Sequence, residues 1–199
     1  MRLRTPTIYT LWLFVVISLC VFSHTTVEAV RRHDQNPDGH LLAADTVERV
    51  KAALAEGANI NVQDELNGQT ALMRATLHGW SSIVKYLLDK GADATIGEKD
   101  GYTPAHGAGF QGRAKIMAIL KDSGVDVLSP ATKDSFTPFH RACWGREGRH
   151  TETIRYFLEE LDVNANAKGG PEKRTCFQMT PNRDTKTLLI KYGAGEQEL

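Results

Sequence analysis

Two histidines follow a threonine–proline pair at the same offset, in Thr103-Pro104-Ala105-His106 and Thr137-Pro138-Phe139-His140. Imidazole is the usual side chain for proton transfer near neutral pH. A catalytic pair, however, needs two unlike roles, and here one role is repeated. His33, Asp34, Asp38 and His40 form a second cluster that could hold a metal loosely. Its spacing matches no zinc pattern, so a solvated segment is the reading adopted and no metal is expected. Cys143 stands in no local signature of a nucleophile. Gly107-x-Gly109-x-x-Gly112 has the letters of a dinucleotide fingerprint, but no strand precedes it. Phosphate-binding loops, serine nucleophile elbows and zinc-protease helices are absent from the sequence. The expectation is a chain with no cofactor and no catalytic residues.

The elements that carry these residues repeat. Asn67 opens NGQTALMRATLHGWSSIVKYLLDKGAD, and Asp100 opens DGYTPAHGAGFQGRAKIMAILKDSGVD, 33 residues later. Asp134 opens DSFTPFHRACWG after a further 34. Thr70, Thr103 and Thr137 fall in register, as do Gly79 with Gly112, Ile83 with Ile116, Leu87 with Leu120 and Gly91 with Gly124. Thr-Pro predicts a helix start, because proline fits the first turn, where its missing N–H costs nothing. Ile83, Val84, Leu87 and Leu88 mark one face of a second helix. Gly91 and Gly124 then stop that helix at its C-terminal end. A single helix pair cannot bury its own apolar face, and stacked copies can.

These residues resemble the ankyrin repeat, which runs Gly-x-Thr-Pro-Leu-His-x-Ala-Ala and ends in Gly-Ala-Asp. The best matches are Thr103-Pro104-Ala105-His106, Thr137-Pro138-Phe139-His140 and Gly91-Ala92-Asp93, and the resemblance covers residues 38–194. It implies an all-α solenoid of stacked helix–turn–helix units joined by short β-hairpin turns. It also implies that His106 and His140 are structural, bonding across repeat interfaces. Cys143 takes the second alanine position of the pattern, which is usually buried. A bridge from Cys143 to Cys176 is disfavoured. It needs Cα atoms within about 7 Å, and packed helices stand roughly 10 Å apart.

Five units are expected, at residues 34–66, 67–99, 100–133, 134–171 and 172–199. VKAALAEGANIN in the first matches VKYLLDKGADAT in the second, while its first helix, around Leu41-Leu42-Ala43-Ala44, is shortened as in a capping repeat. The fourth is longer: 12 residues separate Ala142 from Ile154, against 8 between Ala75 and Ile83. The surplus lies in Gly145-Arg146-Glu147-Gly148-Arg149-His150, and residues 168–173 read as an exposed hairpin tip. The fifth, with its shortened middle, suits a C-terminal cap, followed by a tail at 195–199.

The resemblance implies protein binding. Ankyrin arrays generally bind through the hairpin and inner-helix face, lined by three columns of the repeat. One residue before the threonine stand Gln69, Tyr102 and Phe136. Four after it stand Arg74, Gly107 and Arg141, and seven after it Leu77, Phe110 and Trp144. Units three and four are aromatic and arginine-rich here, the types enriched at binding hot spots. The inserted Arg146, Arg149 and His150 are expected to extend that face with positive charge toward an acidic edge on the partner. The alternative is that Phe110 and Trp144 merely cover the helices beneath them. Rival functions are an enzyme or a small-ligand receptor built on the same scaffold.

Charge and leader bound the rest. Lys plus Arg and Asp plus Glu are 24 each, so no strong basic field suits the chain to nucleic acid. Arg2 and Arg4 precede an apolar run at residues 11–22, and Val27-Glu28-Ala29 puts small residues at −3 and −1. That is the layout of a cleaved secretory signal at residues 1–29. The mature chain is expected to start at Val30, with Ser23 as the other cleavage point, a short linker at 30–37, and 22 basic and 23 acidic residues. The alternative is an uncleaved signal anchor, but the run is short of the roughly 20 residues that span a bilayer. Glu196-Gln197-Glu198-Leu199 shares only its last two residues with an ER-retrieval signal. Secretion, or residence in the lumen of the secretory pathway, as a monomer is the expectation.

Overall fold

A computed structural model describes residues 36–131 and 133–195. The leader, His33, Asp34, Val30 and the C-terminal Glu196-Gln197-Glu198-Leu199 lie outside the described residues. From Asp38 to Gly195 the described residues form one compact unit. Its helices come in pairs: α1 (Pro37–Leu42) with α2 (Val47–Ala55), α3 (Ala71–His78) with α4 (Ser81–Asp89), and α5 (Pro104–Phe110) with α6 (Ala114–Asp122). Then come α7 (Pro138–Ala142) with α8 (Gly148–Glu159), a hairpin of β1 (Lys168–Gly169) and β2 (Arg174–Thr175), and α9 (Cys176–Met179) with α10 (Arg183–Lys191). This is the all-α ankyrin solenoid that the repeat predicts.

Three inner helices start on a threonine whose hydroxyl accepts from the backbone N–H three residues on. Thr70 takes Met73, Thr137 takes His140, and Thr175 takes Gln178. These hydroxyls satisfy donors that a helix start otherwise leaves orphaned. At Thr175 the side chain of Gln178 also accepts from the threonine's own N–H at 2.9 Å, completing a reciprocal cap. The outer helices end where the sequence indicates: Gly91 and Gly124 have φ of 85° and 82°, a left-handed conformation that glycine adopts without a steric penalty.

The core lies between the inner and outer layers. Small residues line the inner helices, such as Ala71, Ala75, Ala105, Ala108 and Ala142. Large ones fill the outer helices, among them Ile83, Leu87, Ile116, Leu120, Ile154 and Phe157. Inner helices therefore approach closely. A Cβ added to Gly109 would stand 2.2 Å from the carbonyl oxygen of Pro138 in the next repeat.

That approach corrects the expectation about the cysteines. Cys143 and Cys176 are joined by a disulfide, with Cα atoms 5.4 Å apart. Gly109 lies six residues after Thr103, and Pro138 one after Thr137; Cys143 and Cys176 hold the same two offsets from Thr137 and Thr175. The ordinary helix-packing distance fails here because the inner helices meet through small side chains and backbone. Cys143 is fully buried, as expected for its position.

Two sets of side-chain bonds lock the stack. At the hairpin end, His106 Nε2–H donates to Phe136 O and His140 Nε2–H to Ala167 O, each at 3.1 Å. A carbonyl can only accept, so Nδ1 of each ring is left to accept from the hydroxyl of Thr103 or Thr137, at 2.9 and 2.7 Å. At the opposite end, side chains reach back to the preceding helix–helix turn. Arg113 Nη2 donates to Leu77 O at 3.3 Å, His150 Nε2 to Phe110 O at 3.1 Å, and Asn182 Nδ2 to Arg146 O at 3.1 Å.

His150 is thus buried against the Phe110 carbonyl and does not extend the docking face. The four surplus residues of unit four mainly lengthen α8 to 12 residues, against 9 in α4 and α6. The tip at 168–173 is likewise only partly exposed: Gly169 packs on His140 and Gly170 on Phe136.

The histidine bonds generate two predictions. His140→Ala leaves Ala167 O without its donor and should cost about 1–3 kcal/mol in chemical denaturation. An unchanged midpoint would contradict the assigned register. Burial, the largest cause, pushes the pKa of His106 and His140 below the ordinary 6.5. The unfolded chain therefore binds these protons first, and stability present above 6.5 is lost as the pH falls toward the folded-state values. Denaturation across that range should show the decline, and it should be shallower in His140→Gln.

Candidate docking face

The three columns converge unevenly. In units three and four they build one stacked cluster. The Arg141 guanidinium lies 3.9 Å from the centre of the Tyr102 ring, 4.5 Å from Trp144 and 5.4 Å from Phe136. Phe136 meets Trp144 edge-on, with centroids 5.0 Å apart. Such contacts between a cation and aromatic faces favour a fixed guanidinium plane. Asp134 closes the cluster, its Oδ2 accepting from Arg141 Nη2 at 2.5 Å and from the Tyr102 hydroxyl at 2.8 Å. Burial, with this bond to the Asp134 carboxylate, pushes the Tyr102 phenol above its usual pKa.

Arg141, at 8% exposure, is a buried and paired cation rather than a free positive charge. Phe136, at 7%, is also buried; it supports Trp144 and Arg141 from below. Phe110 differs, because half of it is exposed. It borders an apolar pocket of 230 Å³ with Met73, Leu77, Tyr102, Gly107 and Arg141. The pocket exists because the middle member of the Arg74–Gly107–Arg141 column has no side chain. Glu98 also borders it, and its Oε2 accepts from Gln69 Nε2 at 3.0 Å.

Arg146 and Arg149 stand elsewhere. Arg146 lies in the turn between α7 and α8 and Arg149 in the first turn of α8, at the far end of the inner helix from the hairpins. Arg149 pairs with Glu147 at 2.8 Å. Arg74 and Arg146 are in no ion pair among the described residues. The structure therefore brings together Leu77, Tyr102, Phe110, Phe136, Arg141 and Trp144, and leaves Arg146 and Arg149 apart.

Asp38 and His40, from the candidate metal cluster, have structural partners. Asp38 Oδ1 accepts from Asn59 N at 2.7 Å, and His40 Nδ1 lies 3.0 Å from Glu56 Oε2. Among the described residues no group of three or more His, Cys, Asp or Glu side chains could hold a metal ion.

Sequence reasoning passed over Asp134, Arg113, Asn182 and the Thr175 cap. Thr175-Cys176-Phe177-Gln178 carries the threonine-to-glutamine spacing of a capping box and could have been found. Asp134 was visible only as a repeat boundary; its role appears once Arg141 folds back over Tyr102.

Known proteins share this pattern. The family model for ankyrin repeats in three copies matches residues 40–131. Ankyrin repeat and SAM domain-containing protein 6 of Mus musculus is 46% identical over 99 residues, 46% of this chain and 10% of that protein. Protein phosphatase 1 regulatory subunit 12A of Mus musculus is 30% identical over 141 residues, 71% of this chain and 12% of that protein. Ankyrin repeat protein nuc-2 of Neurospora crassa is 29% identical over 153 residues, 75% of this chain and 14% of that protein. The chain thus spans a small part of the length of these relatives. Ankyrin repeats are general protein–protein interaction modules and typically non-catalytic scaffolds. With the threonine caps, the histidine bonds between repeats and these likenesses in agreement, the chain belongs to the ankyrin-repeat family.

Proposed function

We propose that this chain is a non-enzymatic protein-binding module of the secretory pathway that engages its partner through the inner-helix face. The observation that carries this reading is the Tyr102–Arg141–Trp144 stack beside half-exposed Phe110. Aromatic and arginine side chains held rigidly lose little entropy on binding, which suits them to hot spots. Arg74 and Arg146 supply the positive charge left for an acidic edge on the partner, and Arg149 less, because Glu147 screens it. Export is supported by the leader-like residues 1–29 and by the Cys143–Cys176 bridge, since disulfides persist chiefly in oxidising compartments.

Affinity capture from secreted and luminal fractions tests the reading. Trp144→Ala and Arg74→Ala should each weaken capture, Trp144→Ala by about 2 kcal/mol or more. Lys115→Glu, on an outer helix, should leave capture intact. Thermal melts alongside separate binding from folding. Capture lost with Lys115→Glu and retained with both inner-face variants would move the docking surface to the other side.

A further inference from the structure

The pocket at Gly107 is more specific than a general docking face. Met73 lies on its floor: a Cβ at Gly107 would be 3.0 Å from the Met73 sulfur and 3.2 Å from Leu77 Cδ2. Phe110 and Tyr102 supply rings, and Arg141 a stacked guanidinium. The volume of 230 Å³ is open to solvent on one side; an enclosed apolar cavity of about 150 Å³ holds a benzene ring.

Its cation is answered within the protein, because Arg141 is paired with Asp134, while Glu98 is bonded only by the neutral amide of Gln69 and keeps its negative charge. An acidic side chain entering the pocket would lose water and meet Glu98 with no free cation, and a basic one would meet the Arg141 guanidinium in the wall. A neutral one loses nothing of that kind. Sulfur at the floor and rings at the rim each attract an aromatic ring more than an alkyl group.

We propose that this pocket receives one uncharged aromatic side chain, phenylalanine or tyrosine, projecting from an exposed segment of the partner protein. The proposal rests on the inner-face reading and adds the anchor's chemistry. Gly107 sets the specificity: the neighbouring repeats carry Arg74 and Arg141 at the same position, and an arginine at 107 would fill the space. Gly107 lies inside α5 without a left-handed φ, so a side chain there is compatible with the helix.

The probe is N-acetyl-L-phenylalaninamide, titrated into the 15N-labelled protein and followed by NMR. N-acetyl-L-leucinamide and N-acetyl-L-alaninamide serve as comparisons. Saturable shifts at the amides of Leu77, Gly107 and Phe110 are expected with the phenylalanine probe. The leucine probe should bind severalfold more weakly, and the alanine probe should give no shift. Gly107→Arg, for which Met73 and Leu77 must yield slightly, should abolish the shifts, with a thermal melt alongside to show that the variant folds. Phe110→Ala, at a half-exposed position, gives a second route if Gly107→Arg does not fold; it should weaken the probe at least about fivefold. No saturable shift at these amides, equal binding of the leucine probe, or undiminished binding in either variant would overturn the proposal. Because the probe needs no partner, that failure is distinguishable. Partner capture still sensitive to Trp144→Ala would then leave the docking face standing without its pocket.

Discussion

The close approach of neighbouring inner helices is the constraint on which the rest depends. Small residues face one another there, and at Gly109 no room remains for a Cβ beneath Pro138. The outer layer is filled by Ile116, Leu120, Ile154 and Phe157 and must stand further apart. The same closeness lets an imidazole three residues into one helix reach the carbonyl of the next hairpin. Between the last two repeats it brings two cysteine Cα atoms to 5.4 Å, near enough for a covalent bond.

Stacking also explains how polar groups come to be placed in an apolar array. The imidazoles of His106 and His140 are favoured in the neutral form by burial and keep both ring nitrogens bonded. Arg141 keeps its charge under cover because Asp134 meets it and three rings surround it. A buried cation of this kind costs desolvation, which its partner largely offsets. It orients the side chains around it more than it attracts anything from solvent. The inner face is thus a rigid surface of rings with an apolar depression beside them, and its free charge lies toward the margins.

Much of this was legible in the sequence, for a physical reason. Thr-Pro caps, terminal glycines and the i, i+4 apolar pattern act locally, so residues near in sequence report them. The columns carried the inner face as well: Leu77, Tyr102, Phe110, Arg141 and Trp144 do converge. Contacts between columns were not legible. The approach of one repeat's sixth position to the first position of the next depends on backbone separation, and an average helix spacing gave the wrong answer for Cys143 and Cys176. His150 failed for a related reason. As an inserted residue it had no repeat column to assign it, and only the fold shows it bonded to Phe110. Arg141 was read as a hot-spot arginine, and its pairing with Asp134, seven residues earlier, had no local sign.

The most direct test of this close stacking is peptide mapping of the native protein without reduction, after free thiols have been blocked. A single linked pair of fragments containing Cys143 and Cys176, with neither residue alkylated, is the result the account predicts. Both cysteines recovered as alkylated, unlinked fragments from protein kept in an oxidising medium would show that the inner helices do not meet in this register.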